Sequence, residues 1–335
     1  MNSLTPAGTL SMPPSLRPEE RLLAAETRER LWFGDDDPDR TSYVASSTMA
    51  AHIGMISGLK PFPVVAQKVI ALVNRANTSP KELREAVECD PALSSQLLRL
   101  ANSAFFRRGS RCSTIEDAIV RLGFGEIERL VSGFAAMGMF QDERGVGLRF
   151  REHCVRVGAI VKVLADDVDE RISARAYLCG LLHDIGKLLS LQVKEIPYET
   201  FSKRVLSSPD ETHIRERQAA GYDHAVLGSH VLEQWNLPET IVETVAYHHQ
   251  PGRAFHQGGE VATFVSLVRS ADRLEYILAA DGKPGPTEFE AVARDAAGNH
   301  LNLSAGRLAV LWPRMTDLAF EMTGVMGPPS VRPTK

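Results

Sequence analysis

Cysteine is scarce in this chain. There are four in 335 residues, Cys89, Cys112, Cys154 and Cys179, and no two form a C-x-x-C pair. That excludes a zinc knuckle and a thioredoxin-like motif, and it fits a reducing compartment. Long apolar runs are missing as well. None approaches the roughly 18 uninterrupted residues of a membrane span, so no membrane insertion is expected. From Met1 to Arg17 no basic stretch leads into an apolar one, so no secretory leader is read and the expected setting is the cytoplasm. A basic surplus is lacking: 38 Lys and Arg stand against 42 Asp and Glu, a net charge of −4. A dedicated nucleic-acid binder carries the opposite balance. No G-x-S-x-G elbow and no Walker string occur, which leaves serine hydrolysis and P-loop chemistry without support. Gly123-Phe124-Gly125 has no strand before it and is read as a turn between helices.

Alternating β-branched runs bounded by turns are nearly absent, so the expected fold is all-α. The apolar share, 44%, is ample for a large core. Helix punctuation is frequent between 60 and 280. Ser79-Pro80-Lys81-Glu82 reads as a capping box with proline at the first helical position. Asp90-Pro91 repeats the cap-then-proline pattern. Ser113-Thr114-Ile115-Glu116 reads as a second capping box. Leu93, Leu97, Leu98, Leu100 and Ala101 then recur at helical spacing. Four parts are expected: an extension over 1–49 with one amphipathic helix at 18–33, a helical subdomain over 50–145, a second over 146–281, and a helical tail over 282–335. Gly282 to Pro286 reads as the linker into that tail, with helices expected near 287–296 and 304–323.

The chemistry-bearing residues are histidines and aspartates. His153 lies in a helical stretch. His183 and Asp184 end the apolar helix YLCGLLHDIGKLL. His224 follows Gly221-Tyr222-Asp223, where Asp223 reads as an N-cap. His248 and His249 end VETVAYHH, and Asp272 lies in VSLVRSADRLEY. Any one of these histidines is most simply a core or surface residue. Together they offer the imidazole and carboxylate set that suits Fe, Mn, Zn or Ni. A shared carboxylate can bridge two such ions, which would clamp a phosphate and activate a water. Lys187 stands three residues beyond Asp184, where it could neutralise a phosphate oxygen. Cys154 and Cys179 read as small buried apolar residues. At the end of a helix, Phe105, Phe106, Arg107 and Arg108 read either as a C-terminal turn with basic residues opposing the dipole or as an outward contact for a partner or nucleotide.

His183-Asp184-Ile185-Gly186-Lys187, with His153 upstream and Asp272 downstream, resembles the HD superfamily of phosphohydrolases. Residues 53–275 resemble its HDOD branch more closely. The resemblance rests on Leu59-Lys60-Pro61-Phe62-Pro63, on DPALSSQLLRLANSAFF at 90–106, on STIEDAIVRLGFGEIERLV at 113–131, on HAVLGSHVLEQWNLP from His224 to Pro238, and on YHHQP at 247–251. It implies an HD-like multi-helical bundle preceded by an N-terminal helical subdomain. It also implies a role in bacterial signalling through protein contacts, without demonstrated catalysis.

In the superfamily, the positions matching His153, His183, Asp184 and Asp272 bind metal. His224, His248 and His249 resemble the further ligands of the related HD-GYP phosphodiesterases, which cleave cyclic di-GMP. Two departures stand against hydrolysis. The glutamate of those enzymes one turn before the upstream histidine is Arg149 here, which cannot ligate a cation and repels one. The Gly-Tyr-Pro signature after the histidine pair is missing. The expectation is therefore a non-catalytic regulatory module whose partner is a signalling protein. The alternatives are a metal-dependent phosphohydrolase acting on a nucleotide, with Lys187 orienting phosphate, and a metal or nucleotide sensor without turnover.

Overall fold

The computed structural model describes residues 63–326 apart from 74, 76, 104–105, 107–110, 139–144, 194–195, 202–211, 236, 250–253, 256–257 and 281–283. The helix expected at 18–33, the 59–62 part of the proline-rich entry, and Phe105, Arg107 and Arg108 lie outside the described residues. Among the described residues every regular element is a helix, as the punctuation predicts.

The first five helices are α1 (Val64–Val73), α2 (Pro80–Glu88), α3 (Pro91–Ala101), α4 (Ile115–Leu122) and α5 (Phe124–Gly138). Ser79 caps α2 as predicted: its hydroxyl accepts from the Glu82 amide, and the Glu82 carboxylate accepts from the Ser79 amide at 2.9 Å. Asp90 caps α3 by accepting from the Leu93 amide at 3.1 Å. At α4 the box sits one residue later than read. Thr114 is the cap and Asp117 the returning carboxylate, which accepts from the amides of both Ser113 and Thr114 at 2.9 Å. Ile115, Ala118 and Ile119 face the core, and Glu116 faces outward to Arg84, 2.9 Å away. Gly123 joins α4 to α5 at φ 81°, a left-handed turn that favours glycine.

The second group begins with α6 (Gly145–Asp169), 25 residues long and the axis of the molecule. Around it stand α7 (Ser173–Leu182), α8 (Ile185–Val193), a 3-10 turn (Tyr198–Thr200), α9 (Thr212–Ala220), α10 (His224–Gln234), α11 (Glu239–Tyr247) and α12 (Gly259–Ala279). The last three are α13 (Pro286–Ala293), α14 (Ala296–His300) and α15 (Ala305–Met326). Helices α6 and α7 approach very closely. A Cβ on Gly180 would fall 2.7 Å from Val161 Cγ2 and 3.0 Å from Gly158 Cα. That contact holds the C-terminal end of α7, and so His183, beside α6.

The C-terminal helix is a strut. Leu308, Leu311, Met315, Leu318, Ala319 and Met322 of α15 are buried; the helix lies along α6 and reaches α3. One continuous apolar cluster runs from Ala66 to Met322, across the predicted subdomain boundaries. Burial on this scale, at about 25 cal/mol per Å² of apolar surface, is the main stabilising contribution.

Candidate metal centre

Five separate places in the chain converge on Asp184. His153 comes from the middle of α6. His183 and Asp184 form the non-helical junction between α7 and α8, and Lys187 lies in the first turn of α8. His224 opens α10, His248 and His249 follow the end of α11, and Asp272 lies within α12. The junction is tight because Gly186 leaves room for α10. A Cβ there would fall 1.9 Å from the His224 carbonyl oxygen. Asp223 caps α10 as read, accepting from the Val226 amide at 3.0 Å, and its other oxygen accepts from Arg217 at 2.7 Å.

The ligand-type atoms fall into two groups that share Asp184. One is His153, His183 and Asp184; the other is Asp184, His224, His248 and His249; within each, the donor atoms lie within 4.8 Å of one another. Asp184 Oδ2 is 3.5 Å from Nε2 of both His153 and His183, and Asp272 Oδ1 is 3.2 Å from His153 Nε2. Asp184 Oδ1 is 2.8 Å from His224 Nε2 and 3.7 Å from His248 Nε2. His224 Nε2 is in turn 3.3 Å from His248 Nε2 and 2.9 Å from His249 Nε2. Donor atoms about 2.1 Å from one first-row ion stand roughly 3–3.5 Å from each other, which is the spacing seen.

Four of the histidines have Nδ1 occupied and Nε2 turned inward. His153 Nδ1 meets Glu275 at 2.6 Å, His183 Nδ1 meets the Gly180 carbonyl at 2.8 Å, His224 Nδ1 meets Glu216 at 2.5 Å, and His248 Nδ1 meets the Val245 carbonyl at 2.7 Å. A donor bond at Nδ1 fixes the tautomer and aims the Nε2 lone pair, the arrangement of metal-binding imidazoles. Inside the cluster, His183 Nε2 is buried without a hydrogen bond, and the buried His153 Nε2, Asp272 Oδ1 and Asp184 Oδ1 have only each other or His224 Nε2 within reach, in geometry too poor for a regular hydrogen bond. Buried polar atoms seldom go unpaired. A divalent cation satisfies all four, so these residues fit a transition metal.

Lys187 donates to Asp184 Oδ2 at 2.5 Å and lies 5.6 Å from the centre of the Phe150 ring. Its ammonium is therefore committed within the cluster. Burial by itself would lower its pKa, but Asp184 and Glu216 raise it above the usual lysine range. Burial likewise opposes charge on His153, yet Glu275 and Asp272 outweigh it and raise that imidazole to about 10. His224 is raised to about 9, burial being outweighed by Glu216 and then Asp184. Burial holds His183 down to about 3, and burial with the neighbouring His248 holds His249 well below the normal range. Those two rings are neutral at physiological pH, whereas His153 and His224 would give up a proton to a cation bound at Nε2. Asp184 is held well below the usual carboxylate range: burial would raise it, but His183 and Lys187 overcome that.

Arg149, read as hostile to a cation, is exposed on α6, so its guanidinium is not among the buried ligands. Phe106, for which an outward contact was one of two readings, is buried, with the Lys162 ammonium 5.2 Å from its ring centre. Cys154 and Cys179 are buried; burial pushes the Cys179 thiol up to about 12, in keeping with an inert core residue.

Three site residues escaped the sequence reading. Glu275 and Glu216 are buried and brace His153 and His224. His213 stacks on His249, with ring centres 4.3 Å apart and planes 13° apart. A signal for Glu275 was present, since it lies three residues after Asp272 on the same helical face. Glu216 and His213 carried none.

The HDOD domain model matches residues 59–251. The structure is similar to one described as "Putative phosphohydrolase" from Shewanella amazonensis, at 26% identity and TM-score 0.66, covering 83% of this chain and 98% of that one. It is also similar to an HDOD domain protein of unknown function from Geobacter sulfurreducens, at 18% identity and TM-score 0.64, covering 83% and 98%. Among curated proteins, an uncharacterised protein of Treponema pallidum is 24% identical over 251 residues, 74% of this chain and 47% of its own length. This chain thus spans about half the length of that relative, and 29% of the length of a second, Bacillus subtilis YuxH.

Proposed function

The chain belongs to the HDOD domain family, and on that premise we propose that it is a regulatory module of bacterial signal transduction that holds a divalent transition metal in its core and acts through protein contacts without turnover. The observation that carries this reading is the burial of the centre. His153, His183, Asp184, His224, His248 and Asp272 are each less than a tenth exposed, and His249 is half-buried. A phosphoester must reach the ion and an attacking water. A ligand sphere this enclosed favours holding a metal over processing a substrate. Its partner is a signalling protein and its setting the cytoplasm; among the described residues no helix is long and apolar enough to cross a membrane.

The test is metal analysis of protein purified without chelators or a histidine tag, with Asp184→Ala as control. It is followed by assay of the metal-loaded protein on a generic phosphodiester and on cyclic dinucleotides. Bound Fe, Mn, Zn or Ni that is lost in the variant, with no hydrolysis, is the expected result. Hydrolysis by the loaded wild type but not by the variant would overturn the non-catalytic reading.

A second reading, a metal-dependent phosphohydrolase acting on a nucleotide, is favoured by one feature: the two oxygens of Asp184 face two separate ligand groups. A bridging carboxylate is the core of a two-ion hydrolytic site. The description of the Shewanella amazonensis structure points the same way. On this reading a nucleotide second messenger is the substrate. If it is bound without turnover, it is the signal.

A further inference from the structure

Both halves of the centre contain one histidine braced by a backbone carbonyl and one braced by a carboxylate. The carboxylates differ in what their second oxygen does. Glu275 Oε2 meets His153 Nδ1 at 2.6 Å, and its Oε1 accepts from Arg156 Nε at 2.6 Å. Glu216 Oε2 accepts from both His224 Nδ1, at 2.5 Å, and the His224 amide, at 2.8 Å; its Oε1 accepts from the Tyr198 hydroxyl at 2.8 Å. One brace is shared with a guanidinium, the other with a neutral phenol.

We propose that Glu216 and Glu275 are positioning residues of the centre and make its halves unequal. The half formed by Asp184, His224, His248 and His249 fills first. The half formed by His153, His183, Asp184 and Asp272 fills second. This inference rests on the metal-centre reading above.

Charge and donor type set the two halves apart. An imidazole whose Nδ1–H is held by a full carboxylate is a stronger donor at Nε2, and loss of such a brace typically costs about 10–100-fold in metal affinity. Among the described residues the Glu216 oxygens hydrogen-bond to His224 and Tyr198 and to no guanidinium or ammonium, and Lys187 acts on Glu216 only through space. Glu275 divides its charge between His153 and Arg156. The ammonium of Lys187 also sits on Asp184 Oδ2, the oxygen that faces His153 and His183, while Oδ1 faces His224. An incoming divalent ion therefore meets two fixed positive charges on the His153 side, which offset Asp272 and Glu275. Repulsion between charges at such separations in a buried site is large. The His224 side adds a third imidazole, a donor set that suits Zn, Ni and Fe.

The experiment is a cobalt(II) titration of the full chain after chelator treatment and dialysis. Binding is read by the d–d absorption bands and by competition with a chromophoric chelator, and folding by circular dichroism. Two steps differing about tenfold or more in affinity are expected in the wild type. Glu216→Gln should weaken the tighter step about 10–100-fold and leave the other in place. Glu275→Gln should weaken only the second step. Arg156→Gln should tighten that second step, an effect no purely structural role predicts. Glu216→Asp, which keeps the charge, should retain part of the first step and serves if the glutamine variant misfolds. A tight step indifferent to both Glu216 variants, or an Arg156→Gln protein with a weaker second step, overturns the inference alone. A folded wild type that takes up no cobalt overturns the metal-centre reading and this inference together.

Discussion

Gly186 approaches His224 so closely that a Cβ at Gly186 would fall 1.9 Å from the carbonyl oxygen of His224 and 2.9 Å from its Cα. The glycine of the HDIGK string is thus explained by a helix crossing: α8 passes the first residue of α10 with backbone against backbone. Gly228, one turn further along α10, continues the contact, since a Cβ there would lie 3.1 Å from the Gly186 amide nitrogen.

Gly186→Ala is therefore expected to push α10 away and with it the His224 ring. Backbone cannot yield as a side chain can, so the cost should reach the upper end of overpacking, about 3 kcal/mol. Chemical denaturation gives the stability loss, and metal analysis of the folded fraction should show reduced uptake. A variant as stable as the wild type would mean that the crossing is looser than described.

Asp184 faces both halves of the centre, Oδ1 toward His224 and Oδ2 toward His153 and His183. Asp184→Asn should deplete metal from both halves at once, whereas His248→Ala should deplete one. Metal-to-protein ratios of the purified variants check this. An Asp184→Asn protein that keeps half its metal would show that the carboxylate is not shared.

Asp295 offers a pH test away from the candidate metal ligands. It ion-pairs with Arg269 at 3.1 Å and Arg273 at 2.5 Å, and caps α14 by accepting from the Ala297 amide at 3.0 Å. Burial would raise its pKa, but Arg269 and Arg273 lower it below the usual carboxylate value. A depressed folded pKa contributes stability that is present above the unfolded value of about 3.9 and lost as pH falls through the folded value. Asp295→Asn should cost about 3 kcal/mol at neutral pH, as expected when one partner of a buried pair is removed. Denaturation midpoints measured from neutrality to below pH 4 should show the gap between variant and wild type closing at the acid end.

Lys162 is the opposite case. It is buried on α6, donates to Ser173 at 2.9 Å, and lies 3.4 Å from Asp166, which also accepts from Arg314 at 2.8 Å. Burial depresses its pKa more than Asp166 and Glu126 restore it. A lysine with a depressed folded pKa costs stability at low pH, and the cost lifts as pH rises through the folded value toward the unfolded one near 10.4. Lys162→Met should therefore change stability by less than about 1 kcal/mol or increase it, and the wild type should gain on the variant at alkaline pH. A loss of several kcal/mol at neutrality would show the ammonium to be a net stabiliser.

The local features were legible in the chain itself. Ser79 with Glu82, Asp90 before Pro91, and Gly123 between two helices act through a single turn of backbone, so their residue types and spacing suffice to announce the all-α fold. The histidines and aspartates were legible as a set because imidazole and carboxylate are side chains that suit such an ion. One local choice failed, where Ser113 and Thr114 competed for the cap of α4.

What surrounds the candidate ligands was settled only by tertiary structure. Glu275 braces His153 across 122 residues, Phe106 turns inward beneath Lys162, and Arg149 turns outward from the helix that carries His153. Each depends on how helices distant in sequence cross, and a side chain four residues from a ligand has either side of the helix open to it until its neighbours arrive. The chain alone determined which groups can bind a metal. The packing of α6, α9, α10 and α12 decided which carboxylate holds which ring, because hydrogen bonds between helices are set by distance and direction in space and leave no period in the sequence.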